Sequence, residues 1–276
     1  MTYSAGIVLF NPDISRLKDN IESIIDQVDK LICIDNCSSN RNDIEILIEK
    51  YKKIIIIRNN ENLGIARALN QIMERSSEMG FDWVYTLDQD SISPDNVIKG
   101  LSQHVRDGVG IVCTNFQNQN DNSLAFNDKN PISNVLECIT SGSLTSVDAW
   151  KLVGGFDEWL FIDCVDYDFC YKLKINNLLV IRVNNLVIKH DVGSFKLRRF
   201  LFFKIKTYNH SSFRNYYITR NNIYMIRKYK KVINIPKRIL YLIKFEITKI
   251  VFERNRIDTI KSMIKGYRDA KKRSIK

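Results

Sequence analysis

Short apolar segments alternate with amphipathic segments over the first 115 residues, and this alternation restricts the possible folds more than any other feature. The apolar segments have the length of strands, and the segments between them repeat apolar residues at helical spacing. Because parallel strands need a crossover connection, usually a helix, the pattern predicts an α/β fold with a mostly parallel sheet flanked by helices. The predicted strands cover residues 4–10, 30–34, 54–58, 83–87 and 109–114, and the predicted helices cover residues 14–28, 44–51, 65–77 and 94–106.

Polar residues follow four of the predicted strands or their loops. Asn11, Asp35, Asn62 and Asp88 each lie where an apolar run gives way to a polar segment. In open α/β sheets, ligands bind outside the carboxyl ends of the strands. We therefore expect a ligand site at that edge of the sheet.

Two acidic clusters lie in otherwise apolar stretches. Asp88 and Asp90 end the predicted strand at 83–87, and Asp163, Asp166 and Asp168 fall among aromatic and aliphatic residues. A buried carboxylate is costly unless a cation, a metal ion or a proton meets it. The first cluster has the spacing to hold a divalent cation that binds a diphosphate, or it is a solvated turn before a helix. The second cluster is a candidate for acid–base chemistry or the start of a helix.

The net charge of +11 is unevenly distributed. Residues 196–276 contain 24 basic and four acidic residues, a net charge of +20, whereas the first 195 residues have 18 basic and 27 acidic residues, a net charge of −9. The basic part interleaves Lys and Arg with aromatic and aliphatic residues, which is typical of helices that lie on an anionic membrane surface. Nucleic acid is disfavoured as a partner because the chain has no nucleic-acid motif and the acidic part would repel phosphates, and some lysines simply form a solvated helical face.

The six cysteines include no C-x-x-C pair and lie mostly in apolar stretches, so we expect reduced thiols and a cytoplasmic protein. No apolar run approaches the ~18 residues of a membrane span, and the first ten residues do not have the pattern of a signal peptide. Together with the basic part, these features predict a peripheral protein on the inner face of the plasma membrane.

Several polar and glycine-containing segments accompany the two acidic clusters. They are, in order along the chain, GIVLFNP at 6–12, IDNCS at 34–38, NNENLGIARALN at 59–70, WVYTLDQD at 83–90, TSGS at 140–143, GGFD at 154–157 and LFIDCVDYD at 160–168. This ordered set resembles the motifs of family 2 nucleotide-sugar glycosyltransferases with the GT-A fold. Within that family it is most similar to bacterial rhamnosyltransferases of O-antigen and capsule assembly. The resemblance covers roughly residues 3–230.

The resemblance implies a catalytic GT-A domain over residues 1–195, with a nucleotide-binding half at 1–115 and an acceptor-side half at 116–195, followed by a basic helical region at 196–276. It implies an inverting, metal-dependent transferase that uses dTDP-L-rhamnose or, as an alternative, UDP-galactose or UDP-glucose. The acceptor would be a glycan or a lipid-linked sugar. A non-catalytic scaffold of a polysaccharide assembly complex is the other hypothesis, and an oligomer is compatible with either.

The resemblance also assigns roles to individual residues. Asp88, Asp90 and His190 would hold Mg or Mn. Asp166 would be the catalytic base, and Asp163 is the alternative because Val165 stands where an acidic neighbour is common. The remaining assignments form two groups. The nucleotide would contact Phe10, Asn11, Pro12, Asp35, Asn62, Gly64, Arg67 and Asp88, and the acceptor or a phosphate would contact Gly142, Ser143, Asp168, Arg214 and Arg220.

Overall fold

The computed structural model describes residues 1–119, 121–190, 196–200, 203–207, 210–252 and 256–275. The chain divides into two compact units. The first contains Met1–Phe161 and Val165–Val192, and the second contains Ile162–Cys164 and Gly193–Lys276. The functional roles that the sequence suggests for residues 1–195 and 196–276 remain predictions.

An eight-stranded sheet forms the centre of the first unit. Its strands are β1 (Tyr3–Leu9), β2 (Lys30–Asp35), β3 (Ile54–Arg58), β4 (Trp83–Asp88), β5 (Val109–Asn118), β6 (Ile132–Val135), β7 (Ser143–Ser146) and β8 (Leu179–His190). They are ordered β3-β2-β1-β4-β7-β5-β8-β6, with β7 antiparallel to both neighbours and β6 antiparallel to β8. The first four strands pair with one another in parallel, and β5 pairs with β8 in parallel, so the predicted mostly parallel sheet is confirmed.

Helices cover the sheet. They are α1 (Ile14–Ile24), α2 (Arg41–Ile48), α3 (Gly64–Glu78), α4 (Val97–Ser102), α5 (Val147–Leu152) and α6 (Val165–Ile175). The carboxylate of Asp13 accepts the backbone N–H groups of Ser15 and Arg16, which fixes the start of α1. The helix predicted from residue 94 begins at Val97, because Asn96 adopts a left-handed conformation with φ of 58°.

The apolar faces of these elements pack into one core. Leu17, Ile21 and Ile24 of α1 are fully buried, as are Ala5 and Ile7 of β1. Burying each Leu or Ile side chain contributes on the order of 1.5–3 kcal/mol, so α1 is firmly held against the sheet. The carboxyl ends of the central strands are thereby fixed in space.

The second unit combines a hairpin with three helices. The hairpin strands are β9 (Lys196–Phe200) and β10 (Phe203–Thr207), and the helices are α7 (Ser212–Lys228), α8 (Ile235–Phe252) and α9 (Arg256–Lys272). The helical prediction for the basic region holds over α7 to α9, but it is wrong for the described residues between 196 and 207. There, basic and apolar residues alternate almost one by one, which is the period of a strand.

The three helices pack closely on one another. Gly266 of α9 lies so near α7 that a Cβ atom would stand 2.6 Å from the carbonyl oxygen of Tyr216. The hydroxyl of Tyr216 donates to Asp269 at 2.8 Å and links the same two helices. Among the helices that the structure describes, none combines the length and the apolar character that crossing a membrane requires.

Candidate active site

The carboxyl ends of β1, β2 and β4 are joined by hydrogen bonds. The backbone N–H of Phe10 donates to Gln89 Oε1 at 2.9 Å, so the loop after β1 is tied to the turn after β4. Asn11 Oδ1 accepts the backbone N–H and the hydroxyl of Ser39 at 2.7 and 2.8 Å, and the N–H of Asn11 donates to Ser38 Oγ at 2.9 Å. Phe10 is exposed, whereas the neighbouring Pro12 is buried. The structure therefore brings these strand-end residues together at one edge, as expected.

Asp35 is buried at the end of β2 and its carboxylate is engaged. Oδ1 accepts the backbone N–H of Ser38 at 2.9 Å, and Oδ2 forms an ion pair with Nε of Arg41 at 3.0 Å. These contacts hold the loop between β2 and α2 in place. The carboxylate of Asp35 thus has a structural role in shaping the predicted nucleotide site. A nucleotide that contacts this carboxylate would share it with Arg41.

Asn62 and Gly64 form the start of α3. Asn62 Oδ1 accepts the side-chain amide of Asn36 at 2.8 Å and the backbone N–H of Gly64 at 2.9 Å. Gly64 has φ of +82°, and a Cβ atom there would stand 2.5 Å from the ring of Phe161. The backbone N–H of Ile65 donates to the carbonyl of Phe161 at 2.7 Å. Glycine is thus required at position 64 because Phe161 packs directly on the start of α3.

Arg67 of α3 points toward acidic side chains. Its guanidinium pairs with Glu74 at 2.7 Å and with Glu158 at 3.2 Å. Glu158 also accepts the side-chain amide of Asn70 at 2.9 Å. Two carboxylates already neutralise Arg67, so a nucleotide phosphate would have to compete with them.

A network of hydroxyl groups holds the turn after β4. The backbone N–H of Asp88 donates to Ser141 Oγ at 3.1 Å, and Ser141 Oγ lies 2.9 Å from Ser91 Oγ. Ser91 Oγ in turn lies 2.9 Å from Nδ1 of His190. The buried Asn20 of α1 donates to the carbonyl oxygens of Asp88 and Ser91 from the other side. The Asp88 turn is therefore fixed through contacts with three distant segments.

His190 and Asp88 lie side by side at the sheet edge. Nδ1 of His190 stands 3.7 Å from Oδ2 of Asp88, whose side chain is 44% exposed. Asp90 follows two residues later, and its carbonyl oxygen accepts the side-chain amide of Gln119 at 3.4 Å. Within the described ranges, no three His, Cys, Asp or Glu side chains converge closely enough to form a metal site. The half-exposed carboxylate beside an imidazole nevertheless has the ligand chemistry that a divalent cation requires.

Gly142 and Ser143 place β7 between the strands that carry the site. Gly142 has φ of +80°, and a Cβ atom would stand 2.4 Å from Oγ1 of Thr114. Its N–H donates to the carbonyl of Thr86 at 2.8 Å. Ser143 is buried, and its hydroxyl donates to the carbonyl of Ile139 at 2.6 Å. Both residues shape the loop at 136–142, and Ser143 is inaccessible to an acceptor.

Asp166 lies in the first turn of α6 with an unusual carboxyl group. Burial raises the pKa of Asp166 from 3.8 to about 7, and the negative charges of Cys138 and Asp88 act in the same direction. The backbone N–H of Tyr167 donates to its Oδ1 at 2.9 Å and partly opposes the rise in pKa. The carboxyl group therefore exchanges a proton near neutral pH and senses the charge of the first acidic cluster. Both properties suit a general base.

Asp168 differs from Asp166 although it is on the same helix. Its side chain is fully buried, and Oδ2 forms an ion pair with Lys172 at 3.4 Å. The carboxylate of Asp168 is therefore paired with a cation of its own helix. Full burial argues against direct contact between Asp168 and an acceptor.

Asp163 belongs to the second unit and is paired there. Arg214 of α7 donates to its two carboxylate oxygens at 3.1 and 3.4 Å. Asn221 donates to the carbonyl oxygens of Ile162 and Asp163 at 2.7 and 2.9 Å. Asp163 has φ of 64°, and these contacts stabilise that uncommon conformation.

Arg220 of α7 is buried among aromatic rings. Its guanidinium lies 4.5 Å from the ring centre of Tyr217 and 5.4 Å from that of Tyr216, and Nε donates to Asn221. The burial of Arg220 argues for a structural role, whereas Arg214 remains partly exposed.

Sequence reasoning missed several residues that position the site. Ser91 and Ser141 connect Asp88 to His190, Gln89 connects Asp88 to Phe10, and Asn221 supports Asp163. Gln89 and Ser141 lie within the quoted motifs and Ser91 directly follows one, so their positions at strand ends were a usable signal. Asn221 ends the segment 214–221, which resembles a family element near the active site, but its contact with Asp163 depends on tertiary packing.

The sequence of this chain matches a known protein family over most of its length. The family Glycosyl transferase family 2 matches residues 4–205, which is well over half of the chain. The chain therefore belongs to this family, and the predicted family and enzyme class are confirmed.

Individual relatives support this assignment. The chain is 27% identical over 244 residues to a dTDP-rhamnosyl transferase, RfbF, of Shigella flexneri, with 81% of this chain and 79% of the relative covered. Among solved structures, S. aureus TarS residues 1–349 in complex with UDP-GlcNAc has a TM-score of 0.63 at 12% identity, covering 98% of this chain and 80% of that chain. GalNAc-T7 with UDP, GalNAc and Mn2+ has a TM-score of 0.63 at 13% identity. That match covers 98% of this chain, which spans about half, 54%, of the GalNAc-T7 chain, and such low identities show the fold alone.

Proposed function

We propose that this protein transfers L-rhamnose from dTDP-L-rhamnose to a hydroxyl group of a glycan or lipid-linked acceptor, with inversion at the anomeric carbon. The observation that carries the proposal is the half-buried carboxyl of Asp166, whose pKa is raised to about 7 and which senses the charge of Asp88. The similarity to a dTDP-rhamnosyl transferase supports the choice of donor.

Asp166 is the proposed catalytic base. An acceptor hydroxyl loses its proton to the carboxylate as its oxygen attacks the anomeric carbon. The bond from that carbon to the nucleoside diphosphate breaks on the opposite face, so the configuration inverts. A base with a pKa near the working pH is both deprotonated and basic enough for this step.

Asp163 is the weaker candidate for the base. Both of its carboxylate oxygens contact Arg214, so an acceptor hydroxyl would have to compete with this charge-assisted pair. The Arg214 ion pair supports a role in holding the segment that precedes α6. The sequence left the choice of base between Asp166 and Asp163 open, and we therefore propose Asp166.

Asp88, Asp90 and His190 would hold Mg or Mn. When bound, the cation would offset the negative charge of the leaving diphosphate. The chain's own contribution is to fix the orientation of the imidazole. Ser91 engages Nδ1, and Phe116 packs edge-on against the ring with the ring centres 5.8 Å apart.

The loops after β1, β2 and β3 would bind the nucleotide. Phe10 offers an exposed ring, and Asn11 and Asn62 hold the neighbouring loops through their side-chain oxygens. These hydrogen bonds pre-organise the loops, which lowers the entropic cost of binding.

The exposed apolar faces of α8 and α9 support attachment to an anionic membrane, on the inner face of the plasma membrane. Large exposed apolar side chains there include Ile239, Leu240, Tyr241, Ile243, Ile247, Val251, Ile257, Ile260, Ile264 and Tyr267. Exposed basic residues on the same helices are Lys237, Lys244, Arg256, Lys261, Lys265, Arg268, Lys271 and Lys272. An apolar surface within a cationic background suits the headgroup region of such a membrane, where a lipid-linked acceptor would be presented.

A donor panel tests the proposed function. The purified chain is incubated with dTDP-L-rhamnose, UDP-galactose or UDP-glucose, a set of glycan and lipid-linked acceptors, and Mn or Mg, and the product anomer is determined by NMR. We expect inverted rhamnoside from the wild type and none from Asp166→Asn. Transfer from a UDP-hexose alone would favour the alternative donor, and no transfer or hydrolysis with any donor would favour a scaffold.

A further inference from the structure

Three cysteine thiols cluster behind the proposed base. Cys113 is on β5, Cys138 lies in the loop between β6 and β7, and Cys170 is on α6. The Sγ atoms of Cys138 and Cys170 are 3.6 Å apart, and all three cysteines are free. The proposed transfer reaction does not use these thiols.

The thiol pair spans a junction between the loop and the helix. Glu137 accepts the hydroxyl of Tyr171, so the residues adjoining both cysteines are also in contact. A small cavity of about 10 Å³ is lined by both cysteines and by Asp166. A change at the thiols therefore acts directly on the surroundings of the carboxyl group.

The two thiols differ in exposure and acidity. Cys138 is half-buried, whereas Cys170 is buried. Hydrogen bonds from the thiols of Cys113 and Cys170 and from the hydroxyl of Ser143 hold the pKa of Cys138 well below its usual range, and Arg182 adds to the effect. The same contacts raise the pKa of Cys113 and of Cys170. Cys138 is therefore the attacking thiolate, and Cys170 is placed to resolve the product.

We propose that Cys138 and Cys170 form a reversible disulfide that draws the 136–142 loop onto α6 and lowers glycosyl transfer. The effect on transfer rests on the proposed function of Asp166. The disulfide itself depends only on the 3.6 Å approach of the two sulfur atoms and on access to Cys138.

The oxidant is a low-molecular-weight disulfide such as glutathione disulfide. The Cys138 thiolate attacks one sulfur atom of the reagent, whose S–S bond breaks and releases one thiolate. Cys170 then loses its proton to solvent and attacks Sγ of Cys138, which releases the second thiolate. The protein loses two electrons and two protons overall, and the reagent is reduced to two thiols.

Closing the disulfide moves groups at the site. A disulfide bond is about 2.05 Å long, so the two sulfur atoms must approach by about 1.5 Å. Cys170 lies one helical turn beyond Asp166, and the loop that carries Cys138 also carries Ser141, whose hydroxyl receives the N–H of Asp88. A displacement of about 1 Å at such groups can lower a rate about 100-fold.

The test compares oxidised and reduced full-length enzyme. The protein is treated with glutathione disulfide, unreacted thiols are alkylated, and the digest is mapped by mass spectrometry. Transfer is measured before oxidation, after oxidation and after dithiothreitol. We expect a Cys138–Cys170 linked peptide and a fall in kcat of about tenfold or more that dithiothreitol reverses.

Serine variants identify the responsible thiols through the ratio of oxidised to reduced activity. Cys138→Ser should keep this ratio near one, Cys170→Ser should give a glutathione adduct on Cys138 in place of the linked peptide, and Cys37→Ser, which removes another half-buried thiol, should respond like the wild type. The absence of the linked peptide, or the same loss of activity in both single variants, would refute the switch. An inactive reduced enzyme would instead contradict the proposed function, while peptide mapping would still test the disulfide.

Discussion

Asp166 determines how activity should depend on pH. The carboxyl accepts a proton only when it is ionised, and its pKa is raised to about 7. We therefore expect kcat/KM to fall about tenfold for each pH unit below about 7, since the ionised fraction falls in that proportion. Asp166→Asn should lower kcat by about 100-fold to 10,000-fold. A flat profile between pH 5 and 8, or an active Asn variant, would exclude Asp166 as the base.

The same carboxyl group should lower the stability of the fold at high pH. A pKa raised in the folded state favours folding below the unfolded value of 3.8, and this contribution is lost as the pH rises to about 7. The shift corresponds to about 4 kcal/mol, and partial contact with solvent reduces the expected gain of Asp166→Asn to about 1–2 kcal/mol at pH 8. Urea unfolding at pH 5 and pH 8 should show the larger gain at pH 8.

Asp168→Asn is the matched control for stability. It removes the buried partner of Lys172 from the same helix, so we expect a loss of about 3 kcal/mol instead of a gain. If both variants changed the free energy of unfolding in the same direction, the distinct environments of the two carboxyl groups would be contradicted.

Residue contacts were harder to predict than residue types. Asp88 and Asp166 were identifiable because a carboxylate in an apolar segment is costly and needs a reason. The chain Ser141–Ser91–His190 was not, because it joins three segments that only the order of strands in the sheet brings together. The Arg214–Asp163 ion pair similarly depends on tertiary packing.

At the scale of elements, the sequence correctly predicted the strands and helices whose type follows from the local spacing of apolar residues. β1, β2 and β4 are mainly apolar runs that are mostly buried, so their identity was clear. The β9–β10 hairpin was predicted as helix because basic composition outweighed its alternating pattern. The antiparallel position of β7 between β4 and β5 depends on long-range pairing that no local pattern specifies.

The exposed face of α8 leads to a prediction about membranes. Leu240→Ser combined with Ile247→Ser removes two large exposed apolar side chains from one helix. We expect affinity for vesicles containing anionic phosphatidylglycerol to fall about tenfold or more, since burying each such side chain is worth about 1.5–3 kcal/mol. Vesicle co-sedimentation measures this. Leu152→Ser and Ile46→Ser, on exposed positions of α5 and α2, should bind like the wild type, and equal loss in both double variants would refute a role of α8.

For the whole molecule, ligand binding should raise the free energy of unfolding. A ligand that binds only the folded state raises the free energy of unfolding by about 2.7 kcal/mol at 100 times its Kd. We expect dTDP-L-rhamnose with Mn to raise the melting temperature more than either alone, because Asp88, Asp90 and His190 would hold the cation and the cation would offset the charge of the donor diphosphate. UDP-galactose and UDP-glucose in the same assay compare the alternative donors.

Variants locate the source of that shift. Asp88→Asn and His190→Ala should each remove the part of the shift that depends on Mn, because their side chains lie 3.7 Å apart at the sheet edge. Asp163→Asn should keep that part, since its carboxylate is paired with Arg214 instead. If Asp88→Asn retained the full Mn-dependent shift, the metal would have to bind elsewhere in the molecule. A donor shift without any effect of Mn or Mg would instead contradict the proposed dependence of donor binding on a metal ion at Asp88 and His190.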